Sequence, residues 1–245
     1  MSQLAGCALL VLCIVAFNAC STQRLLTEGQ HPQRFTKEVV RTVETRYLLY
    51  LPQNFSERGK QWPLLIFQHG SGERGADIEK VKVHGPPKIA EQKDDFPFML
   101  VSPQCPENQR WSVETLNLLL DEVMSNLPID EDRVYLTGLS MGGFGTWNLA
   151  LQHPDRFAAI APICGGGSFD GIRQLKDMPI WVFHGAKDDV VPLNESQRMV
   201  DELRRIGNDK VKFTVYPDAN HDSWTETYAN PELYKWFLEQ RRKEQ

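Results

Sequence analysis

The sequence predicts an α/β domain with a doubly wound, mostly parallel sheet and helices on both faces. Short apolar runs alternate with helical stretches along the chain, which is the pattern of such a domain. Most of the runs are continuously apolar, and this indicates strands that are buried on both faces. The amino-acid composition does not change along residues 36–245, so we expect one domain over this range without a large cap domain.

Seven strands and four helices are predicted from these runs. Pro52 stops the first strand, Pro128 follows the first helix, and Gly207 is a favourable stop for the third helix. We expect strands at 46–51, 63–67, 98–101, 134–137, 159–163, 180–183 and 211–216, and helices at 113–127, 141–152, 193–206 and 232–241.

The net charge and the absence of certain motifs argue against several classes of partner and cofactor. The chain has 245 residues and a net charge of −5, which gives no reason to expect nucleic acid or an anionic membrane surface as a partner. No His-Glu-x-x-His or Cys-x-x-Cys motif is present, so no metal is expected. No Gly-x-Gly-x-x-Gly follows a strand, and no cofactor is predicted.

The first twenty residues are predicted to be an export leader. Residues 4–20 are almost entirely apolar but shorter than the roughly 20 residues of a membrane span. The segment ends Phe17-Asn18-Ala19-Cys20-Ser21 and resembles a bacterial lipobox, although Phe17 stands where Leu is usual. We expect an exported lipoprotein anchored through Cys20 in the cell envelope, with a plain cleaved signal or an uncleaved anchor as alternatives. Residues 21–35 are polar and are predicted to be a tether.

Cysteine usage outside the leader is sparse. Only Cys105 and Cys164 remain in the body of the chain, and each follows a predicted strand. In an exported protein, two such residues are expected to form a disulfide, and two separate buried thiols are the alternative.

The turn around Ser140 is the strongest candidate for chemistry. The segment Gly138-Leu139-Ser140-Met141-Gly142 follows the predicted strand 134–137 and opens the predicted helix 141–152. This is the context of a nucleophile elbow, in which a sharp turn exposes the serine. Glycines let neighbouring backbone approach closely, and the helix N-terminus favours negative charge at the reacting oxygen.

An acid and a base follow in later loops. Asp188 and Asp189 come after the strand 180–183, and His221 comes after the strand 211–216. The order serine, aspartate, histidine is that of the α/β-hydrolases. His221 would accept the Ser140 proton, and one of the two aspartates would hold the imidazole.

On these motifs the chain resembles the α/β-hydrolase superfamily over roughly residues 40 to 240. It is most similar to the compact branch of carboxylesterases, acyl-thioesterases, dienelactone hydrolases and predicted peptidases. The family motif His-Gly-x-x-Asp begins here at His184, which implies Asp188 as the acid. The resemblance also implies an oxyanion hole formed by the N–H groups of Met141 and Ser71, with Gly72 as the near alternative to Ser71.

Several nearby residues have other predicted roles. His69 and His184 precede glycines at strand ends and are expected to be structural. His84, in His84-Gly85-Pro86-Pro87, is expected to have a loop role, with a position at the border of the cleft as the alternative. Trp111 and Trp224 are predicted to be pocket walls, with core packing as the alternative. Glu73 and Arg74 are expected to form a local ion pair that shapes their loop.

The predicted function is serine-dependent hydrolysis of carboxylic esters. Short esters, aryl esters or esters linked to polysaccharide are the expected substrates. A peptidase or an acyl-thioesterase could use the same residues, and a catalytically inactive binding protein is the alternative that is not an enzyme.

Overall fold

The computed structural model of the protein describes residues 28, 30–53, 55–93 and 95–242. The chain divides into residues 1–41 and a compact unit of residues 42–245. The described part of the first unit forms neither helix nor strand. The predicted leader and Cys20 lie outside the described residues. Among the described helices, none is both long and apolar enough to cross a membrane.

The second unit contains a seven-stranded sheet in the order β1-β3-β2-β4-β5-β6-β7. β1 pairs with β3 in antiparallel orientation, and the other pairs are parallel. The strands are β1 (Arg46–Tyr50), β2 (Trp62–Gln68), β3 (Met99–Gln104), β4 (Ile129–Leu139), β5 (Ala159–Ile163), β6 (Ile180–Gly185) and β7 (Val211–Tyr216).

The connections between strands carry most of the helices. The α-helices are α1 (Gly85–Gln92), α2 (Val113–Asn126), α3 (Met141–Gln152), α4 (Asn194–Arg205), α5 (Trp224–Ala229) and α6 (Pro231–Glu239). Short 3₁₀ turns occupy Ser71–Glu73, Ile78–Lys82, Pro154–Arg156 and Ile172–Leu175.

Alternating side chains of the central strands belong to two hydrophobic cores, one on each face of the sheet. In β2 every residue is buried, with Leu64 and Ile66 in one core and Leu65 and Phe67 in the other. Residues of α2, α3 and α4 complete the first core, and residues of α1, α5 and α6 complete the second. Successive strand side chains point to opposite faces, so a continuous apolar run is what two covered faces require. The predicted fold class is confirmed.

The predicted strands are all present, and two helices were missed. α1 begins Gly85-Pro86-Pro87, which the sequence prediction treated as loop. Proline is tolerated in the first turn of a helix because its missing N–H would have no helical partner there. α5 has only six residues, too few to establish a helical period in the sequence.

The strand order brings the functional loops to one edge of the sheet. The chain passes outward from β2 to β3, then returns to β4 on the other side of β2. The loops after β2 and β4 therefore begin side by side at the carboxyl edge of the sheet. In open parallel sheets this reversal of direction is where ligands bind.

Candidate active site

Ser140 occupies a strained turn between β4 and α3. β4 ends at Leu139, α3 begins at Met141, and the Ser140 backbone has φ 51° and ψ −115°. The Ser140 N–H donates to the Ile163 carbonyl at 3.0 Å, which ties the turn to β5. A residue other than glycine at positive φ costs about 1–3 kcal/mol, so surrounding contacts must hold the turn.

Two glycines permit this turn because the backbone packs against them. A Cβ at position 142 would lie 1.9 Å from the carbonyl oxygen of Gln68, at the end of β2. A Cβ at position 138 would lie 2.4 Å from the Gly142 carbonyl oxygen. The predicted role of both glycines is thus confirmed, and the close backbone approach brings the Ser140 turn against the loop that follows β2.

Ser140, His221 and Asp188 form one continuous hydrogen-bonded chain. The distance from His221 Nε2 to Ser140 Oγ is 2.9 Å, and His221 Nδ1 lies 2.8 Å from Asp188 Oδ2. With the proton on Nδ1 donated to Asp188, Nε2 is free to accept the Ser140 hydroxyl proton. His221 keeps 18% of its side chain exposed, so the ring can be reached from solvent.

The backbone of the β6–α4 loop fixes the orientation of the Asp188 carboxylate. The Val190 and Val191 N–H groups donate to Asp188 Oδ1 at 3.0 and 2.9 Å, and the side chain is fully buried. Asp189 is exposed to solvent. Of the two aspartates considered from the sequence, the structure thus brings Asp188 into contact with His221.

The loop after β2 packs against the Ser140 turn, since a Cβ at position 70 would lie 2.8 Å from the Leu139 side chain. Within the described chain, neither the Ser71 nor the Met141 N–H donates a hydrogen bond. His69 Nδ1 donates to the Gly70 carbonyl at 2.6 Å, and this carbonyl shares a peptide group with the Ser71 N–H. His69 Nε2 accepts from the Cys105 N–H at 3.0 Å. His69 therefore holds that peptide in one orientation, in keeping with its predicted structural role.

Arg74 and Glu73 do not form the expected ion pair. Arg74 instead donates to the carbonyls of Ser71 at 2.9 Å and Gln109 at 3.2 Å, which joins this loop to the β3–α2 loop. Glu73 is 8% exposed and lies 3.9 Å from His84 Nε2. The two side chains leave the backbone differently because Glu73 ends the 3₁₀ turn, whereas Arg74 follows it with ψ 157°.

The buried position of His69 predicts a pH dependence of stability. Burial is the main cause that lowers the pKa of His69 from 6.5 to about 4. A protonated Nε2 would also face the Cys105 N–H that it now accepts from. The stabilisation from neutral His69 is present above about pH 6.5 and is lost as the pH falls towards 4, up to about 3 kcal/mol.

Urea unfolding of the wild type and His69→Gln at about pH 7 and about pH 4.5 tests this dependence. The stability advantage of the wild type should shrink at the lower pH because glutamine does not titrate. An advantage that is equal at both pH values would contradict the expectation.

The two tryptophans are placed differently around the site. Trp224 contacts His221 edge-to-face, with ring centroids 5.1 Å apart, and lines a cavity of about 330 Å³ together with His84 and Lys88. Trp111 donates from Nε1 to the His69 carbonyl at 3.2 Å and packs on the first core. Core packing was the predicted alternative to a pocket wall, and Trp111 has it, together with a hydrogen bond that supports the start of the Ser71 loop.

The predicted disulfide between Cys105 and Cys164 is wrong, since both are buried free thiols. Cys105 follows β3 and Cys164 follows β5, and β2 and β4 lie between these strands. Three strand spacings separate the two residues by about 14 Å, whereas a disulfide requires Cα atoms within about 7 Å. The sequence could not reveal this separation because it depends on the strand order.

We expect both thiols to be inert in the folded protein. Burial raises the pKa of Cys105 to about 11 and that of Cys164 to about 12, so neither forms the reactive thiolate near neutral pH. Iodoacetamide followed by peptide mass mapping should find both unmodified in the native protein and both alkylated after denaturation. A linked peptide pair under non-reducing conditions would contradict the assignment.

Comparisons with known proteins agree with the fold. The Phospholipase/Carboxylesterase family matches residues 96–231, which is more than half of the chain. The bifunctional acetylxylan esterase/xylanase XynS20E of Neocallimastix patriciarum is 25% identical over 77% of this chain and 27% of its own length. The "Probable feruloyl esterase C" of Aspergillus terreus is 24% identical over 80% of this chain and 71% of its own length.

A solved structure adds a closer likeness. The crystal structure of a thermostable esterase superposes with a TM-score of 0.71 and 35% identity, over 82% of this chain and 60% of that one. The chain thus spans about a quarter of the bifunctional relative and about three fifths of the thermostable esterase. With the matched region spanning Ser140, Asp188 and His221, the chain belongs to the Phospholipase/Carboxylesterase family of α/β-hydrolases.

Proposed function

We propose that the protein hydrolyses carboxylic esters, with Ser140 as nucleophile, His221 as base and acid, and Asp188 as the orienting acid. The observation that carries the proposal is the unbroken chain of hydrogen bonds from Ser140 Oγ through His221 to Asp188, at 2.9 and 2.8 Å. A serine hydroxyl is a weak nucleophile until a positioned base removes its proton. Family membership supports the same chemistry.

The reaction proceeds in two acyl transfers. Ser140 Oγ attacks the acyl carbon while its proton passes to His221 Nε2, and the Ser71 and Met141 N–H groups stabilise the oxyanion. His221 then gives that proton to the leaving alcohol as the ester C–O bond breaks. A water molecule repeats the attack on the acyl-enzyme, with His221 again as base, and the carboxylic acid is released.

The substrates we propose are short esters and aryl or carbohydrate-linked esters. The acetylxylan esterase and feruloyl esterase names of two relatives support acyl groups carried on plant polysaccharide. Trp224 supports an aryl or sugar group because its ring borders both His221 and the cavity of about 330 Å³. Pockets that take such groups are lined mainly by aromatic and apolar side chains.

A substrate panel tests this proposal. Aryl acetates, acetylated xylan and methyl ferulate should be turned over with kcat/KM at least about tenfold above that for acyl-thioesters and peptide anilides. Faster hydrolysis of the thioester or the anilide would make the protein a thioesterase or a peptidase. A protein that turns over no substrate and resists a fluorophosphonate probe would be an inactive binding protein.

We also propose that the protein is exported and lipidated at Cys20. The apolar segment 4–20 and its ending Ala19-Cys20-Ser21 support this. The mass of the N-terminal peptide isolated from the membrane fraction is the test. A diacylglyceryl Cys20 is the expected terminus, and an unmodified Cys20 would exclude the anchor.

A further inference from the structure

We propose that His184 is a positioning residue for Asp188 and forms the fourth member of the chain Ser140–His221–Asp188–His184. This inference rests on the proposed function, because it concerns how Asp188 serves His221. His184 lies at the end of β6 and is fully buried. A buried histidine with no contact to the outside has to satisfy both ring nitrogens within the protein.

The position of the ring proton follows from the acceptors around Nε2. His184 Nε2 lies 2.9 Å from the Val191 carbonyl oxygen and 3.2 Å from Asp188 Oδ2. Both neighbours are acceptors, so a lone pair on Nε2 would face two negative oxygens. Nε2 must therefore carry the proton and donate to this pair of oxygens.

The opposite nitrogen is held by a second chain of hydrogen bonds. His184 Nδ1 lies 2.7 Å from Ser196 Oγ, and Ser196 Oγ lies 2.8 Å from the Gly165 carbonyl oxygen. With its proton on Nε2, His184 presents the Nδ1 lone pair to the Ser196 hydroxyl, which also lies within hydrogen-bond distance of the Gly165 carbonyl. Both ring nitrogens of His184 therefore have a partner inside the protein, as the burial of the ring requires.

This arrangement gives Asp188 a complete set of donors. Oδ1 receives the Val190 and Val191 N–H groups, and Oδ2 faces the protons of His221 Nδ1 and His184 Nε2. His184 thus holds Oδ2 in place and disperses its negative charge. Donors to a carboxylate that orients a histidine tune the basicity and the direction of that histidine.

Other ionisable groups near this set are neutral, paired or exposed. The Cys164 thiol lies after β5, and its reactive atom is within 4.8 Å of those of Asp188 and His221; burial raises its pKa to about 12, so it stays uncharged. On α4, Glu195 pairs with Arg198 at 2.6 Å. The nearby carboxylates of Asp189 and Asp222 are exposed to solvent. His184 is therefore the closest donor to Asp188 besides His221 and the loop backbone.

The test is the rate at which a fluorophosphonate labels Ser140, measured as a function of pH. In this reaction the Ser140 Oγ–phosphorus bond forms, fluoride leaves and the serine proton passes to His221, so the rate reports the base without requiring an ester substrate. In His184→Leu we expect labelling to be about tenfold slower. We also expect the acidic limb of the plot of labelling rate against pH to lie about half a pH unit higher. The limb moves up because the uncompensated Asp188 charge favours the protonated form of His221.

Two conservative variants keep the test decisive if His184→Leu does not fold. His184→Gln can place an N–H near the position of Nε2 and should restore the wild-type limb. His184→Asn places its N–H near Nδ1 and should shift the limb like leucine. The structural control is Asn208→Ala, which removes buried hydrogen bonds to Leu175 and Met178 and should lower Tm without moving the limb.

The outcomes separate this inference from the proposed function. An acidic limb that stays at the wild-type pH in both His184→Leu and His184→Asn would overturn the role of His184. Wild-type protein that is labelled at Ser140 but hydrolyses no ester would contradict the ester substrates alone. Wild-type protein that is not labelled at all would overturn both.

Discussion

Ser140→Ala is expected to lower ester hydrolysis by about 10⁴- to 10⁶-fold. The hydroxyl at 2.9 Å from His221 Nε2 is the only group that the proposed mechanism uses to form the acyl-enzyme. The remaining rate would come from the oxyanion N–H groups and from substrate binding. Initial rates with an aryl acetate, normalised to folded protein, measure the effect.

Changes in stability distinguish a lost nucleophile from a damaged fold. Alanine meets the same strain as serine at φ 51°, so Tm should stay close to that of the wild type. Ser140→Gly should be equally inactive but more stable by about 1 kcal/mol, because glycine adopts positive φ without strain. An alanine variant that keeps more than about a tenth of the activity would exclude Ser140 as the nucleophile.

Asp188→Asn is expected to lower kcat by about 10⁴-fold, the second largest effect. The Val190 and Val191 N–H groups would hold the amide oxygen in the place of Oδ1, which turns the amide NH₂ towards His221. His221 Nδ1 would then accept a hydrogen bond and Nε2 would carry the proton. In that tautomer His221 cannot take the Ser140 proton.

Asp189→Asn is the matched control for this substitution. Asp189 is the exposed neighbour of Asp188, so removing its charge should change kcat by less than about twofold. Steady-state kinetics of both variants at neutral pH make the comparison. A large loss in Asp189→Asn together with an active Asp188→Asn would reverse the assignment of the acid.

The functional residues could be predicted because each is marked locally. Ser140 lies in a glycine-flanked pentapeptide between a strand and a helix, and His221 and Asp188 follow apolar runs. The contact of His221 with Asp188 needed only the rule that parallel strands end at a common edge. The preference for Asp188 over Asp189 came from the family motif, and the buried carboxylate at 2.8 Å from His221 is its physical reason.

The supporting residues could not be predicted in the same way. The hydrogen bond of His69 to Cys105 depends on how β2 and β3 align. The contact of His184 with Asp188 depends on the turn of the β6–α4 loop, although both residues belong to one short motif. His69 and His184 each precede a glycine at a strand end, and this position indicated a structural role. It did not indicate which group each side chain contacts.

The sequence by itself determined the fold class, the strands and the order of Ser140, Asp188 and His221, because apolar periodicity and turn residues act over a few neighbouring positions. Only the tertiary structure decided that Cys105 and Cys164 stand apart with β2 and β4 between them, and that Trp111 supports the Ser71 loop. It also decided the contact of His184 with Asp188. The separation of the cysteines and the role of Trp111 depend on strand order and on packing between distant segments, which local patterns do not encode. The contact of His184 with Asp188 depends on the path of the β6–α4 loop.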